Sequence, residues 1–213
     1  MGTKKYRLTE NHINIGNRIL YQIEALKDFG SVKAGDLGGY IESEKNLSQY
    51  DNAWVYGNAQ VCDNAQVYGN AQVSGDAQVS GDAQVYDNAR VSGDAWVYDN
   101  AEVYGNARVS GDAWVYGNAR VYGNARVSGD AEVKSREDYI VFKNWWSSAR
   151  YFTWTRSNNM WKVGCFYGTG EELIKKAYND SEISGREYER IVRYVESILA
   201  DEKRKENEPI GIK

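Results

Sequence analysis

Three arginines, Arg90, Arg108 and Arg126, stand eighteen residues apart, and two tryptophans, Trp96 and Trp114, keep the same interval. A column of guanidiniums is chemistry for anions, because each planar fork can grip a phosphate or carboxylate with two hydrogen bonds. Tryptophans followed two residues later by Tyr98 and Tyr116 are chemistry for contact with another surface. Groups suited to covalent catalysis are scarce. His12 is the single histidine, so a three-histidine zinc site cannot form within the chain, and no metal is expected. As a general base it would stand alone, and a surface position in a hairpin is its plainer reading. Cys165, in an apolar strand beside Phe166 and without a histidine close in sequence, reads as a buried structural thiol; Cys62 reads as an outward residue. Gly168-Thr169-Gly170 precedes a helix whose amides could hold an anion. It lacks the lysine of a P-loop and is followed by two acidic residues, so it reads as a helix cap.

The interval that spaces these residues is built from a shorter one. From Ala53 to Val133 Ala-x-Val recurs fourteen times without an insertion, and the first thirteen are completed by (Tyr/Ser)-(Gly/Asp)-(Asn/Asp), with Cys62 departing at the fourth position. Six residues make neither whole helical turns nor a heptad, and a Gly-Asn or Gly-Asp pair in each unit would break a helix. A short strand and a sharp turn fit instead, with alanine and valine inward because they stand two apart. Stacked units of this kind form a solenoid. Gly and Asn are expected to supply its positive-φ turns. Ser74, Ser92, Ser110 and Ser128 recur every eighteen residues, and so do Tyr68, Tyr86, Tyr104 and Tyr122. Three strands per coil, and three faces, follow.

The phrase resembles the hexapeptide repeat of left-handed parallel β-helices, over about two-fifths of the chain. The left hand is implied by that resemblance and not by the period. The array is also similar to hexapeptide arrays of bacterial and prophage-encoded proteins. Many left-handed β-helices are acyltransferases with a histidine base beside the coil, and others resemble zinc carbonic anhydrases. This chain has the coil without their histidines. A pentapeptide DNA-mimic helix is excluded by the period, and a calcium-binding solenoid would need nonapeptides with paired glycines.

Outward positions assign one face to Trp54, Gln72, Arg90, Arg108 and Arg126, beside the serine column. A second face carries Gln60, Gln78, Trp96, Trp114 and Glu132. The third carries Gln66, Gln84, Glu102 and Arg120, beside the tyrosine column. Guanidiniums one coil apart repel unless countered, and Asp76, Asp94, Asp112 and Asp130 are expected to counter them while satisfying turn amides. Three arginines leave a modest footprint for a phosphate backbone, which makes nucleic acid the lesser expectation. The tyrosine column reads equally as coil stabilisation and as contact, whereas the tryptophan patch reads as contact, either with a partner or with the terminal domain folded back.

Residues 1–50 form an N-terminal unit. Within it Ile13–Ile15, a Gly16-Asn17 turn and Arg18–Ile23 read as a hairpin, and Gly35–Gln49 as an irregular capping coil with Leu47 in the alanine register. Residues 51–135 are the solenoid. Residues 136–200 read as a small α+β domain with strands at 139–142, 149–155 and 161–166. Thr169 with Glu172 opens a helix to about Tyr178, and Ser184 with Glu187 opens a longer one. Arg150, Phe152, Trp154 and Arg156 share one side of a strand, which fits a core strand with edge arginines or a basic aromatic surface for nucleic acid. The charged tail 201–213 is expected to fray.

Net charge is −4, no apolar run is long enough to span a bilayer, and two cysteines are too few for a disulfide framework. A cytoplasmic protein without a membrane partner is expected. Gly2 lacks the Ser or Thr at position 6 that myristoylation requires, since Tyr6 stands there. The combined reading is a mainly β, non-enzymatic interaction protein without a cofactor, whose partner is a protein and whose self-association is open. The resemblance implies a bacterial or prophage accessory role, including inhibition of a host complex such as a phage-defence system. An acyltransferase using His12 and a structural component of a particle or polymer are the alternatives.

Overall fold

A computed structural model describes residues 4–207. Each Ala-x-Val phrase forms a two-residue strand at its x and valine positions, giving fourteen strands, β4 to β17, from Trp54–Val55 to Glu132–Val133. Every third strand pairs, so each residue lies over its equivalent eighteen residues on. Arg90 pairs with Arg108 and Arg108 with Arg126, Trp96 with Trp114, and Glu102 with Arg120, all in parallel. The alanine and valine columns from Ala53 to Val133 are at most 1% exposed and fill the interior. This β-solenoid is the core of the molecule.

Positive φ falls on the fifth position of the phrase, where glycine or Asp63, Asp87 and Asp99 (φ 57–59°) stand. The expectation that asparagine takes the left-handed turn is therefore corrected. Aspartate is held there by its carboxylate, which accepts the glycine amide of the next coil: Asp63 from Gly81 at 3.2 Å, Asp87 from Gly105 at 3.3 Å, Asp99 from Gly117 at 3.2 Å. The asparagines bond along the axis instead, Asn52 to Asn70 at 2.9 Å and Asn70 to Asn88 at 3.2 Å.

Main-chain amides donate from each coil to the carbonyls of the next, as Trp54 N does to Ala71 O at 3.0 Å. One end of the rod therefore presents carbonyls and the other amides, and both need partners. At the carbonyl end, β1 (Tyr6–Ile15), β2 (Arg18–Ala25) and β3 (Leu37–Ile41) extend the tryptophan face into an eight-stranded sheet. Lys5 Nζ donates to Ala53 O at 2.8 Å, the Tyr6 hydroxyl to Leu47 O at 2.6 Å, and Asn46 Nδ2 to Ala65 O at 2.9 Å. Burial pulls the Lys5 ammonium down to about 8, against the opposing pull of Asp51. β3 lies so close to the first coil that a Cβ on Gly39 would stand 2.5 Å from Ala59 O. Leu47 pairs with Val67 and so takes the valine register, not the alanine register expected for it. Trp54 is likewise not outward: it is 1% exposed, with Tyr6 and Phe29 edge-on at 6.1 and 5.3 Å.

At the amide end an antiparallel sheet of β18 (Tyr139–Lys143), β19 (Tyr151–Thr155), β20 (Met160–Val163) and β21 (Phe166–Gly168) covers the last coil. Arg126 N donates to Thr153 Oγ1 at 2.8 Å and Glu132 N to Ser157 Oγ at 2.7 Å. Two helices, α1 (Gly170–Asp180) and α2 (Glu182–Asn207), pack Leu173, Val192 and Val195 in one cluster with Phe152, Trp154 and Trp161. Thr169 caps α1 as expected.

The C-terminal part also differs from expectation, and its middle strand begins at Tyr151 rather than at 149. The apolar run 161–166 is split by a turn at positive-φ Gly164, which leaves Cys165 exposed rather than buried. α2 opens at Glu182, before Ser184, with Ser181 Oγ accepting the Ser184 amide at 3.1 Å. It also continues through the expected frayed tail to Asn207. Gly2 and residues 208–213 lie outside the described residues. No helix among the described residues is long and apolar enough to cross a membrane.

Candidate binding faces

The in-register stack turns each outward position into a column. On the arginine face Arg90 and Arg108 are exposed and Arg126 is half-buried under the C-terminal sheet, where its Nη1 donates to Gly164 O at 3.4 Å. The column lines a groove of about 390 Å³ together with the serines, Lys162 and Gly164. Ser110 and Ser128 share a hydrogen bond of 3.1 Å along its floor. The expected aspartate countercharges do not engage. Asp76 accepts from Asn58, and Asp130 accepts from Asn158 at 2.9 Å and the Tyr167 hydroxyl at 3.2 Å. Those bonds, led by Asn158, hold the Asp130 carboxyl below its ordinary range. Among the described residues no carboxylate forms an ion pair with Arg90, Arg108 or Arg126. Burial, then repulsion from Arg108 and Arg150, lowers the affinity of Arg126 for its proton.

The tryptophan face brings together the four residues that the eighteen-residue phase aligns. Trp96 and Trp114 stack at 5.4 Å and 7°, and each is 40% exposed. Tyr98 and Tyr116 stack at 5.2 Å, with Tyr98 edge-on to Trp114 at 6.5 Å. The tyrosine face is self-satisfied by comparison. Its rings stack at 4.9, 4.9 and 5.4 Å from Tyr68 to Tyr122. Tyr68 donates to Gln84, Tyr86 donates to Glu102 at 3.2 Å, and Arg120 pairs with Glu102 at 2.9 Å.

Arg150 and Arg156 flank β19, whose Phe152 and Trp154 turn into the core and so offer no exposed aromatic surface between them. Trp154 is 1% exposed and donates to Asn159 at 2.8 Å, so the core-strand reading holds. Arg156 grips Glu202 at 2.7 and 3.2 Å and the Glu137 carbonyl, tying α2 to the sheet. Arg150 lines a separate cleft of about 250 Å³ with Cys165, Lys176 and Tyr188. The residue missed in the sequence is Lys162, whose place in the arginine groove depends on the docking of β20. Nothing in its local pattern signals that.

His12 is exposed on β1, with Nδ1 3.0 Å from the Glu10 carbonyl oxygen. In the eight-stranded sheet β1 lies five strands from the strand of Trp96. Burial first, then Asp63, pushes the Cys62 thiol up to about 11, which removes it from nucleophile chemistry near neutrality.

Coil period, parallel register and inward alanine and valine columns define a hexapeptide-repeat β-solenoid protein. The array matches the family model described as the YdcK beta solenoid repeat, at residues 59–75, 65–81, 83–99, 101–117 and 119–133. The chain is also 39% identical over 61 residues to a protein of Escherichia coli (strain K12) whose name is "Uncharacterized acetyltransferase YdcK". That match covers 25% of this chain and 19% of the relative.

Proposed function

We propose that the protein is a non-enzymatic binding protein whose solenoid is a rigid rod presenting its tryptophan face to a protein partner. The stacked, two-fifths-exposed pair of Trp96 and Trp114 carries this reading. Both rings stand on strands bonded on either side by neighbouring coils, so little ordering entropy is lost on association. Exposed tryptophans of this kind are the usual anchors of protein interfaces. A bacterial or prophage accessory role, with inhibition of a host complex as one use of the surface, rests on the resemblance of the array alone.

The name of the YdcK relative brings a second reading, acyl transfer. It would need a general base, and His12 is an exposed hairpin residue on the outer strand. A polymer built by stacking coils end to end is disfavoured, since Lys5 and Tyr6 cover one end and Thr153 and Ser157 the other.

The test is quantitative recovery of partners from bacterial lysate on immobilised wild type and on a Trp96→Gln/Trp114→Gln variant. Gln60 and Gln78 already occupy that column, so the coil accepts the change. At least one partner should fall by about tenfold or more. Equal recovery of every partner would sink the reading, and acetyl transfer lost on His12→Ala would replace it with the second one.

A further inference from the structure

Like charges stacked one coil apart are unfavourable, and the tyrosine face shows how this rod avoids them. There Gln84, Glu102 and Arg120 succeed one another, with Glu102 and Arg120 paired. The arginine face does the reverse. Arg90, Arg108 and Arg126 follow in register, and no described carboxylate pairs with them. Lys162 joins their groove from a different part of the chain, β20, so coil and C-terminal sheet deliver cations to one concavity. Hydroxyls of Ser92 and Ser110 line the same groove and can donate to an oxyanion.

We propose that this groove binds a linear chain of phosphoryl groups, held by Arg90, Arg108, Arg126 and Lys162 with Ser92 and Ser110 as further donors. Adjacent coils lie roughly 4.8 Å apart, so the three guanidinium-bearing strands span about 10 Å. A single orthophosphate cannot engage that length, whereas a short oligophosphate can. Guanidinium forks match phosphate oxygens two at a time, which favours phosphate over isolated halide-like anions. No aromatic ring lines the groove, so a nucleobase finds no stacking platform and the phosphate chain itself is recognised. Free oligophosphate and the tail of a nucleoside triphosphate share this chemistry. The groove lies on a different face from the tryptophan pair, so either proposal can fail without the other.

Calorimetric titration of the full chain with sodium triphosphate, orthophosphate, ATP and AMP tests it. Triphosphate should bind about tenfold or more tightly than orthophosphate, and the affinity should fall between about 50 and 200 mM salt. Arg108→Gln, which copies the glutamine that Gln72 already places in the same column, should weaken triphosphate binding by about tenfold. Lys162→Gln, outside the coil, should weaken it in the same direction with the solenoid intact. ATP equal to triphosphate, with AMP weak, assigns nucleotide tails as well as free chains. ATP much weaker than triphosphate assigns free chains alone. Absence of triphosphate binding, unchanged affinity in both variants, or binding of a single-stranded oligonucleotide but not triphosphate would overturn the proposal.

Discussion

The tyrosine and arginine faces are built on the same backbone, the same alanine and valine interior and the same eighteen-residue period, yet they use their outward residues in opposite ways. On the tyrosine face each ring stacks on the next, two hydroxyls are bonded one coil on, and the two charges are opposite and paired. Serine replaces tyrosine on the arginine face, and a like charge repeats instead of meeting its opposite. Cross-strand pairs are the unit of stabilisation in a sheet, so the first arrangement supports the rod and the second burdens it. A solenoid makes this legible because every other variable is held constant. Where a face forgoes available pairing, its charges are left without ion-pair partners among the described residues.

The largest effect should come from Tyr86→Ser, which puts the serine of one face into the other. It removes two stacked contacts at 4.9 Å and the bond to Glu102. Urea melts should show a loss of about 2 kcal/mol. Unchanged stability would mean that the tyrosine stack contributes nothing and that the two faces do not differ in this respect. Glu102→Gln comes next. It leaves Arg120 without its carboxylate and should lower stability by about 0.5–1 kcal/mol, an effect that shrinks as salt is added.

Alkaline pH acts in opposite senses on the tyrosine face and on the capped end of the rod. Burial, followed by the bond to Glu102, raises the Tyr86 phenol above its ordinary value. An unfolded phenol ionises near pH 10 and the folded one higher, so the unfolded chain releases its proton first. Stability from this group is thus present below about pH 10 and lost as pH climbs through the folded value. Lys5 acts in the opposite sense: its pKa is about 8 in the fold, so stability rises from about pH 8 towards the unfolded lysine value. Thermal melts of the wild type should therefore gain from pH 8 to 10 and then fall. Tyr86→Phe keeps the ring and should soften the fall, and Lys5→Met should remove the gain. A fall as steep in Tyr86→Phe as in wild type would show that this phenol is not among the groups responsible.

How much of this was legible from the chain follows from which distances the repeat encodes. Period six gave the interior, and period eighteen aligned Trp96 with Trp114 and Arg90 with Arg108, because in-register stacking makes sequence spacing equal to spatial spacing. Trp54 occupies the same position of the phrase as Arg90 but is buried, since Tyr6 and Phe29 arrive from outside the period. Asp94 is four residues from Arg90, yet proximity along a coil is not proximity of charge. Asp94 forms no ion pair with Arg90, and Asp76 and Asp130 of the same ladder are taken by amide and phenol partners instead. Lys162 and Cys165 lie in an apolar run that reads as one strand. Positive-φ Gly164 breaks it, and only the docked sheet sets Lys162 beside the arginines.

The smallest expected effect is also the most discriminating. Arg108→Gln removes the middle charge of a like-charged column, so the ligand-free protein should become more stable, by about 0.5 kcal/mol at low ionic strength. The gain should vanish at high salt, because screening already relieves the repulsion in the wild type. The corresponding loss of an arginine on the tyrosine face, Arg120→Gln, breaks the pair with Glu102 and should change stability in the opposite direction. Opposite signs for the same chemical substitution at equivalent coil positions would establish that one face is arranged for the rod and the other against it. Equal signs would mean that repulsion within the column does not decide what Arg108 contributes, and the case for the arginine groove from uncountered charge would fall.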